Sequence, residues 1–251
     1  MRTIPRTISM AMLATAICLG GCKKEEAETP ATPSGGGGGS STPASTTPAF
    51  TDASGVLIAV NTLTSYDVGG IPVEIQMGTA LGMFPSAGNA SVYLDGGTVS
   101  LEGTTLTKNA NNAYFATPDQ TNPTGIDLSG STHWVVSGNG EVPAIDRSPS
   151  FSFPSVGTIT SSTTITRSDG YTLNVSGVNN ADSVVFVVGN IIKTKAPGTL
   201  SCNFSAAELG TEGAGATVIQ VSPYTFQNEM IGGKKIYFGK QSSRTLSATF
   251  Q

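Results

Sequence analysis

Residue types that carry much of enzyme and metal chemistry are scarce in this chain. The 251 residues include three cysteines, one histidine and one tryptophan, and only 12% of them are charged. A zinc site needs several Cys or His ligands, and nucleic-acid binding needs clustered Lys and Arg. The composition argues against both classes, so we expect no metal ion, no cofactor and no nucleic-acid partner.

The first 21 residues have the pattern of a secretory signal peptide. Arg2 and Arg6 form a basic head, an apolar stretch runs from Ile8 to Leu19, and two glycines follow. This stretch is too short to remain as a membrane span, and no later apolar run approaches the roughly 18 to 20 residues that a span requires. A buried strand or helix of the mature fold is the alternative interpretation.

The glycines run directly into Cys22. The sequence Leu19-Gly20-Gly21-Cys22 resembles the bacterial lipobox, in which a leucine and two small residues precede an invariant cysteine. The resemblance implies that the chain is cut before Cys22, that its thiol receives a diacylglyceryl group, and that the new amino terminus is usually acylated too. Two or more acyl chains hold a protein stably on a bilayer, so the expected partner is a membrane reached through Cys22. A free or disulfide-bonded Cys22 is the alternative.

A charged triplet follows the cysteine. Lys24, Glu25 and Glu26 look like the lysine-plus-two-acids export signal of surface-exposed lipoproteins of Bacteroidota. The resemblance implies a lipid-anchored protein of the outer membrane that faces the cell exterior. A solvated start of a linker, with the protein kept on the periplasmic side, is the alternative.

Cys202 is the one cysteine beyond this region. Once Cys18 leaves with the signal and Cys22 carries lipid, Cys202 has no partner for an internal disulfide, so stability must come from a core of adequate size. Cys202 alternates with Leu200 and Phe204. We therefore expect a small buried hydrophobe rather than a reactive thiol.

Residues 22–49 are expected to form a disordered tether. The segment is rich in Thr, Pro, Ser, Ala and Gly, with five consecutive glycines at 35–39. Such a composition cannot build a core. As a flexible coil its root-mean-square reach would be on the order of 30 Å.

Beyond residue 50 the apolar residues alternate with a period of two between recurrent turn residues, which is typical of an all-β fold. A proline-containing stretch at 143–154 divides the strands into two groups. We predict two immunoglobulin-like β-sandwich modules, 50–148 and 149–251, with a single sandwich as the alternative. The predicted strands are 55–61, 72–77, 90–94, 98–101, 104–107, 113–116, 132–137, 158–166, 171–176, 183–188, 199–204, 216–221, 235–238 and 245–250.

Two local motifs predict turns. Residues 92–99 contain Asp-Gly-Gly between strand formers and resemble a β-hairpin. Ser205 and Glu208 fit a capping box, and Gly210 fits a left-handed stop, so a single helical turn is expected there. The isolated glycine pairs lack the following helix or lysine of a phosphate-binding loop and are expected to be turns.

The single histidine, His133, neighbours the single tryptophan, Trp134. On a strand the two side chains point to opposite faces, so we expect Trp134 and Val136 to pack inward and His133 to face solvent. A Ser-His-Asp triad needs a serine on a strained turn, and no Gly-x-Ser-x-Gly motif is present. We therefore predict no catalytic residue.

The aspartates are scattered singly rather than at calcium-loop spacing. A loop calcium or a pair of catalytic carboxylates assembled from distant positions remains the alternative. The aspartates concerned are Asp95, Asp119, Asp127, Asp146, Asp169 and Asp182.

Two further features are candidates for modification or binding. Asp182-Ser183-Val184 resembles the acceptor motif for O-glycosylation in exported proteins of Bacteroidota, which makes Ser183 a candidate site. The aromatic residues Tyr224, Phe226, Tyr237 and Phe238 are candidates for a sugar-stacking or protein-binding face, with core packing as the alternative.

The sequence as a whole predicts a lipid-anchored, non-catalytic cell-envelope lipoprotein that presents a β-sandwich binding or structural surface. Its expected ligand is a glycan or a protein. An accessory subunit of an outer-membrane protein complex is one alternative. A glycan-acting hydrolase with carboxylates that the sequence does not identify is the other.

Overall fold

The computed structural model describes residue 50 and residues 52–68 and 71–251, and the structural statements below concern these residues. They belong to one compact unit, Pro43–Gln251. The predicted signal peptide 1–21, the lipidation site Cys22, the triplet Lys24-Glu25-Glu26 and the tether 22–49 lie outside the described residues.

The fold is all-β, as the sequence predicts, with one short α-helix among the described residues. In chain order the elements are β1 (Gly55–Val68), β2 (Ile71–Met83), β3 (Pro85–Ser86), β4 (Asn89–Tyr93), β5 (Val99–Leu101), β6 (Thr104–Thr105), β7 (Thr107–Lys108), β8 (Tyr114–Ala116), β9 (Trp134–Val136), β10 (Ile145–Arg147), β11 (Ser155–Val156), β12 (Thr164–Ile165), β13 (Tyr171–Asn174), β14 (Val178–Asn179), β15 (Ser183–Val188), β16 (Ile191–Lys195), β17 (Ser201–Phe204), α1 (Ala206–Leu209), β18 (Gly215–Ile231) and β19 (Lys234–Phe250).

One long sheet contains nine of the described strands. Eight follow the order β16-β15-β18-β19-β1-β2-β8-β7, and β12 pairs with the end of β19. The 17-residue strands β18 and β19 form a hairpin closed by Gly232 and Gly233, whose φ angles are 57° and 75°. Positive φ at both turn positions suits a tight hairpin, and glycine adopts it without a steric penalty. β1 runs parallel to β19 and antiparallel to β2, so the first described strand lies in the middle of the sheet.

Two hydrophobic clusters lie on the same face of this sheet, which we call the inner face. The first includes Leu57 of β1, Phe238 of β19 and Trp134 of β9. The second includes Phe186 of β15 and Val221 of β18. Side chains alternate along a strand and directly paired residues share a face, which places these sheet residues on one side.

Smaller sheets complete a second layer over the inner face. The four-stranded sheet β10-β9-β5-β6 contributes to the first cluster, and the pairs β13–β17 and β11–β14 contribute to the second. The result is a β-sandwich with two cores on one long sheet, and the predicted sandwich fold is confirmed.

The β18–β19 hairpin packs against the strands on both sides of the predicted boundary near residue 148. The first cluster draws on residues 57–145 but also on Ile231, Ile236 and Phe238, whereas the second draws on residues 156–250. The hairpin therefore contributes to both cores. The assignment of 50–148 and 149–251 as separate modules stays a prediction.

A polar band separates the two cores on the inner face. Lys240, Ser242 and Arg244 follow one another at every second residue of β19, and Asn61 of β1 pairs with Ser242. The three β19 side chains are 5%, 5% and 9% exposed. Arg244 donates a hydrogen bond to Glu74 of β2. The long strands thus continue from one apolar core to the other through a buried polar stretch.

Two local predictions need correction. The hairpin predicted over 92–99 is wrong, because β4 pairs with β3 while β5 pairs with β6 and β9. The capping box at Ser205 is confirmed, since Ser205 Oγ accepts from the backbone of Glu208 and the Glu208 side chain accepts from the backbone of Ser205. Gly210, however, is right-handed with φ −62°, so it is not the left-handed stop that was expected.

Candidate binding cleft

A cleft of about 750 Å³ opens where the linker after β10 meets the second core. It lies on the inner-face side of the sheet, because Thr225 in its wall pairs with Lys240 of the polar band. The polar and aromatic side chains in its lining are those of Phe151, Ser152, Asn179, Asn180, Asp182 and Thr225.

Lys240 fixes the linker that carries Phe151. Its ammonium donates to the carbonyl oxygens of Pro149 at 3.3 Å and of Phe151 at 2.5 Å. The same nitrogen lies 4.8 Å from the ring centroid of Phe151 and 5.3 Å from that of Phe153. Burial lowers the pKa of Lys240, and the carbonyl and cation–π contacts offset part of the desolvation cost of the charge.

Asp182 anchors the wall opposite Phe151. Its Oδ2 accepts hydrogen bonds from Thr225 Oγ1 at 3.1 Å and from the backbone N–H of Phe226 at 2.8 Å. Within the described part of the chain, no hydrogen bond reaches Oδ1 of this exposed residue. One carboxylate oxygen therefore holds the wall in place, and the other is available to a ligand.

Two asparagines form the rim beside Asp182. Asn180 has φ 55°, a left-handed conformation that asparagine tolerates better than most residues. Asn179 donates from Nδ2 to Ser155 Oγ at 3.1 Å. Both residues are exposed, so their amides can donate to and accept from a bound molecule.

The chemistry of this lining is recognition through hydrogen bonds. Among the described residues, the lining holds one carboxylate, that of Asp182, and no histidine or cysteine. Glycoside hydrolysis normally needs two carboxyl groups placed on either side of the bond that breaks. The cleft therefore offers amide, hydroxyl and carboxylate contacts beside an aromatic ring, without an acid–base pair.

His133 lies outside the cleft, next to β9. Its Nε2 is 2.7 Å from Asp146 Oδ1, and its backbone N–H donates to Glu102 Oε1 at 2.5 Å. Trp134 and Val136 are each 1% exposed, which confirms the predicted orientation of this strand. In the part of the chain that the structure describes, no serine or cysteine is hydrogen-bonded to His133, so the pair has no adjacent nucleophile.

Cys202 is a free cysteine packed in the second core. It is 2% exposed, and burial raises the pKa of its thiol. Phe204 shares this core, whereas Leu200, which precedes β17, is 44% exposed. Cys202 behaves as the small buried hydrophobe that the sequence predicts.

The four aromatic residues noted in the sequence lie on two faces of the sheet. Phe238 is 1% exposed in the first core, while Tyr224, Phe226 and Tyr237 lie on the opposite side, which we call the outer face. Phe50, which the sequence analysis did not single out, joins them there. The ring centroids are 5.0 Å apart for Phe50 and Phe226, 5.2 Å for Phe50 and Tyr237, and 5.3 Å for Tyr224 and Phe226. We call Phe50, Tyr224, Phe226 and Tyr237 the outer aromatic cluster.

A hydrogen-bonded group lies beside this cluster. Asp52 accepts from Lys235 Nζ at 2.6 Å and from the Tyr237 hydroxyl at 2.9 Å. The hydrogen bonds from Lys235 and Tyr237 lower the pKa of Asp52, and the carboxylate raises the pKa of both donors. Phe50 and Asp52 together attach the start of the described chain to the β18–β19 hairpin.

Ser183, the candidate for O-glycosylation, is the first residue of β15 and is fully buried. A transferase would have to reach its hydroxyl before the chain folds around it. The modification of Ser183 stays a prediction.

Residues 50, 52–68 and 71–251 contain no group of three or more His, Cys, Asp or Glu side chains that could hold a metal ion. Within the same ranges no helix has the length and apolar character needed to cross a bilayer.

The chain was compared with known proteins at three levels. No protein-family model, no curated protein and no solved structure matches it.

Proposed function

We propose that this chain is a lipid-anchored, non-catalytic lipoprotein of the outer membrane that binds a glycan in the cleft between Phe151 and Asp182. The lipobox that ends at Cys22 supports the anchor. The triplet Lys24-Glu25-Glu26 supports display on the cell exterior.

The observation that carries the binding role is the lining of the cleft. Sugars present hydroxyl groups along their rims and apolar C–H faces, and Asn180, Asp182 and Phe151 offer the complementary amide, carboxylate and ring. The walls are held by contacts of their own, since Lys240 binds the linker and Asp182 binds β18. A site whose walls are fixed before binding loses less entropy when a ligand arrives.

The test is binding of the soluble chain from residue 22, with Cys22→Ser, to an array of oligosaccharides and to an array of peptides. We expect retention of an oligosaccharide without turnover. Asn180→Gly removes one amide side chain from the lining. It should not strain the backbone, because glycine freely adopts the positive φ of this position. Because a hydrogen bond contributes about 0.5 to 1.5 kcal/mol, this variant should bind about two- to twelvefold more weakly.

Asn112→Gly is the matched control. Asn112 also has a positive φ, 63°, but it lies far from the cleft in sequence and donates to Tyr93 O. Binding that Asn180→Gly and Asn112→Gly weaken equally would place the ligand elsewhere. Turnover of the oligosaccharide that disappears in Asp182→Asn would show an enzyme instead. Retention of peptides alone would show a protein-binding role.

A further inference from the structure

The lining of the cleft carries one charged side chain. Among the described residues that form it, Asp182 is charged and the others are neutral. Lys195, the basic residue nearest to the lining along the chain, lies on β16 and is not part of the lining. The formal charge that the cleft presents to a bound molecule is therefore negative.

The carboxylate of Asp182 has no cation beside it. No ion pair between described residues includes Asp182, and its Oδ2 accepts from the uncharged partners Thr225 and Phe226. Lys240 pairs with Thr225 on the adjacent strand, but its ammonium donates to carbonyl oxygens of the linker. Burial lowers the pKa of Lys240, and the carboxylate that opposes this shift is Glu102. The negative charge of Asp182 is thus left for a ligand to neutralise.

We propose that the cleft selects glycans that contain an amino sugar, whose ammonium group binds Oδ1 of Asp182. The inference rests on the glycan binding proposed above and adds the chemical class of the sugar. A charged donor forms a shorter and stronger hydrogen bond with a carboxylate than a neutral hydroxyl group does. A uronic acid would instead bring a second carboxylate next to Asp182, and like charges repel.

The neutral part of the lining suits the rest of such a sugar. The amides of Asn179 and Asn180 and the hydroxyl of Ser152 can donate to and accept from sugar hydroxyl groups. The ring of Phe151 offers an apolar surface to the C–H face. These neutral groups serve an amino sugar and its neutral counterpart alike, so the preference between the two should depend on Asp182.

Titration with three monosaccharides tests the proposal. The isotope-labelled chain from residue 22 carries Cys22→Ser, and the backbone amide shifts of Asn180 and Phe226 report binding in the cleft. At about pH 6 the amine of glucosamine is protonated, since activated amines such as the α-amino group titrate at about pH 8. We expect glucosamine to bind about fivefold more tightly than glucose and glucuronic acid about fivefold more weakly, which is the effect of one unit charge at about 4 Å in water.

Asp182→Asn removes the charge and keeps one carbonyl oxygen that can accept from Thr225 and Phe226. The three sugars should bind this variant with equal affinity. Asp127→Asn is the matched control, because it changes the net charge by the same amount. Asp127 is exposed, accepts from the backbone N–H of Ser129 at 2.9 Å and lies outside the lining. The control should keep the preference for glucosamine.

The salt dependence of the parent protein is a second measurement that needs no variant. At about 1 M salt the Debye length is about 3 Å, so the preference for glucosamine should shrink. A parent that binds glucose as tightly as glucosamine at low salt would overturn the proposal, as would a preference that persists in Asp182→Asn. Either result leaves glycan binding in place. If no sugar shifts the amides and the array retains no oligosaccharide, the proposal and the proposed function both fail.

Discussion

The Tyr114 hydroxyl and the Asp95 carboxylate form a partly buried hydrogen-bonded pair in the first half of the chain. Tyr114 donates to Asp95 Oδ1 at 2.7 Å, and Lys108 binds the other carboxylate oxygen at 3.0 Å. These bonds, with that from the backbone of Gly97, hold the pKa of Asp95 well below its usual range. Burial and the Asp95 carboxylate raise the pKa of Tyr114 to about 12.

The raised pKa of Tyr114 predicts a loss of stability at high pH. An unfolded tyrosine titrates near pH 10. The protonated Tyr114 hydroxyl therefore makes its full contribution to the free energy of unfolding below that pH, and this contribution is lost as the pH rises toward 12. Tyr114→Phe should therefore flatten the fall in unfolding free energy between pH 10 and 12. It should also lower stability at neutral pH by about 1 kcal/mol through the lost hydrogen bond.

Urea unfolding at a series of pH values measures both effects. A Tyr114→Phe variant with the same alkaline slope as the parent would contradict the assignment.

Among the elements, the helix α1 depends on its capping box. Ser205→Ala removes the hydroxyl that accepts from the Glu208 backbone, and an N-cap of this type contributes about 1 kcal/mol. The free energy of unfolding should fall by that amount. Ser201→Ala, at an exposed position of β17, is the control and should change stability little. A Ser205→Ala variant as stable as its control would mean that tertiary packing alone holds α1.

The elements that the sequence predicts well are those set by local chemistry. Ser205 and Glu208 are three residues apart, so their capping box is visible in the sequence, and β15 has the predicted bounds 183–188. The sequence predicts two strands, 235–238 and 245–250, in place of β19, because Lys240, Ser242 and Arg244 interrupt its apolar pattern. All three are buried, and the partners of Lys240 in the linker and of Arg244 in β2 are distant in sequence.

Pairings between distant strands could not be predicted in the same way. β1 and β19 lie side by side although Gly55 and Ile236 are at opposite ends of the folded region. The alternation of each strand fixes which residues share a face, but it does not fix which strand lies next to it. The parallel pairing therefore appears only in the structure.

At the scale of the whole molecule, the candidate site was the least predictable feature. Trp134 and His133 are adjacent, so their opposite orientations follow from one strand. The cleft joins Phe151, Asn180, Asp182 and Thr225 from three separated segments, none of which carries a motif. Phe50 likewise lies at the end of a polar tether, and its role depends on rings more than 170 positions away.

The triplet Lys24-Glu25-Glu26 gives a prediction for intact cells. If Lys24, Glu25 and Glu26 direct surface display, replacing all three by alanine should leave the protein in the membrane but protect it from added protease. The parent protein should be digested under the same conditions. A triple variant that is digested as readily as the parent would refute the role of the triplet. Lysed cells are the control, because both proteins should be equally sensitive to the protease there.

The proposed function depends most on the lipid that we expect at Cys22. The direct measurement is the mass of the N-terminal peptide of the protein isolated from cell membranes. We expect a peptide that begins at Cys22 and carries the mass of a diacylglyceryl group, usually with a further acyl chain. A peptide that begins elsewhere, or a Cys22 without acyl mass, would contradict the proposed anchor and the envelope function built on it.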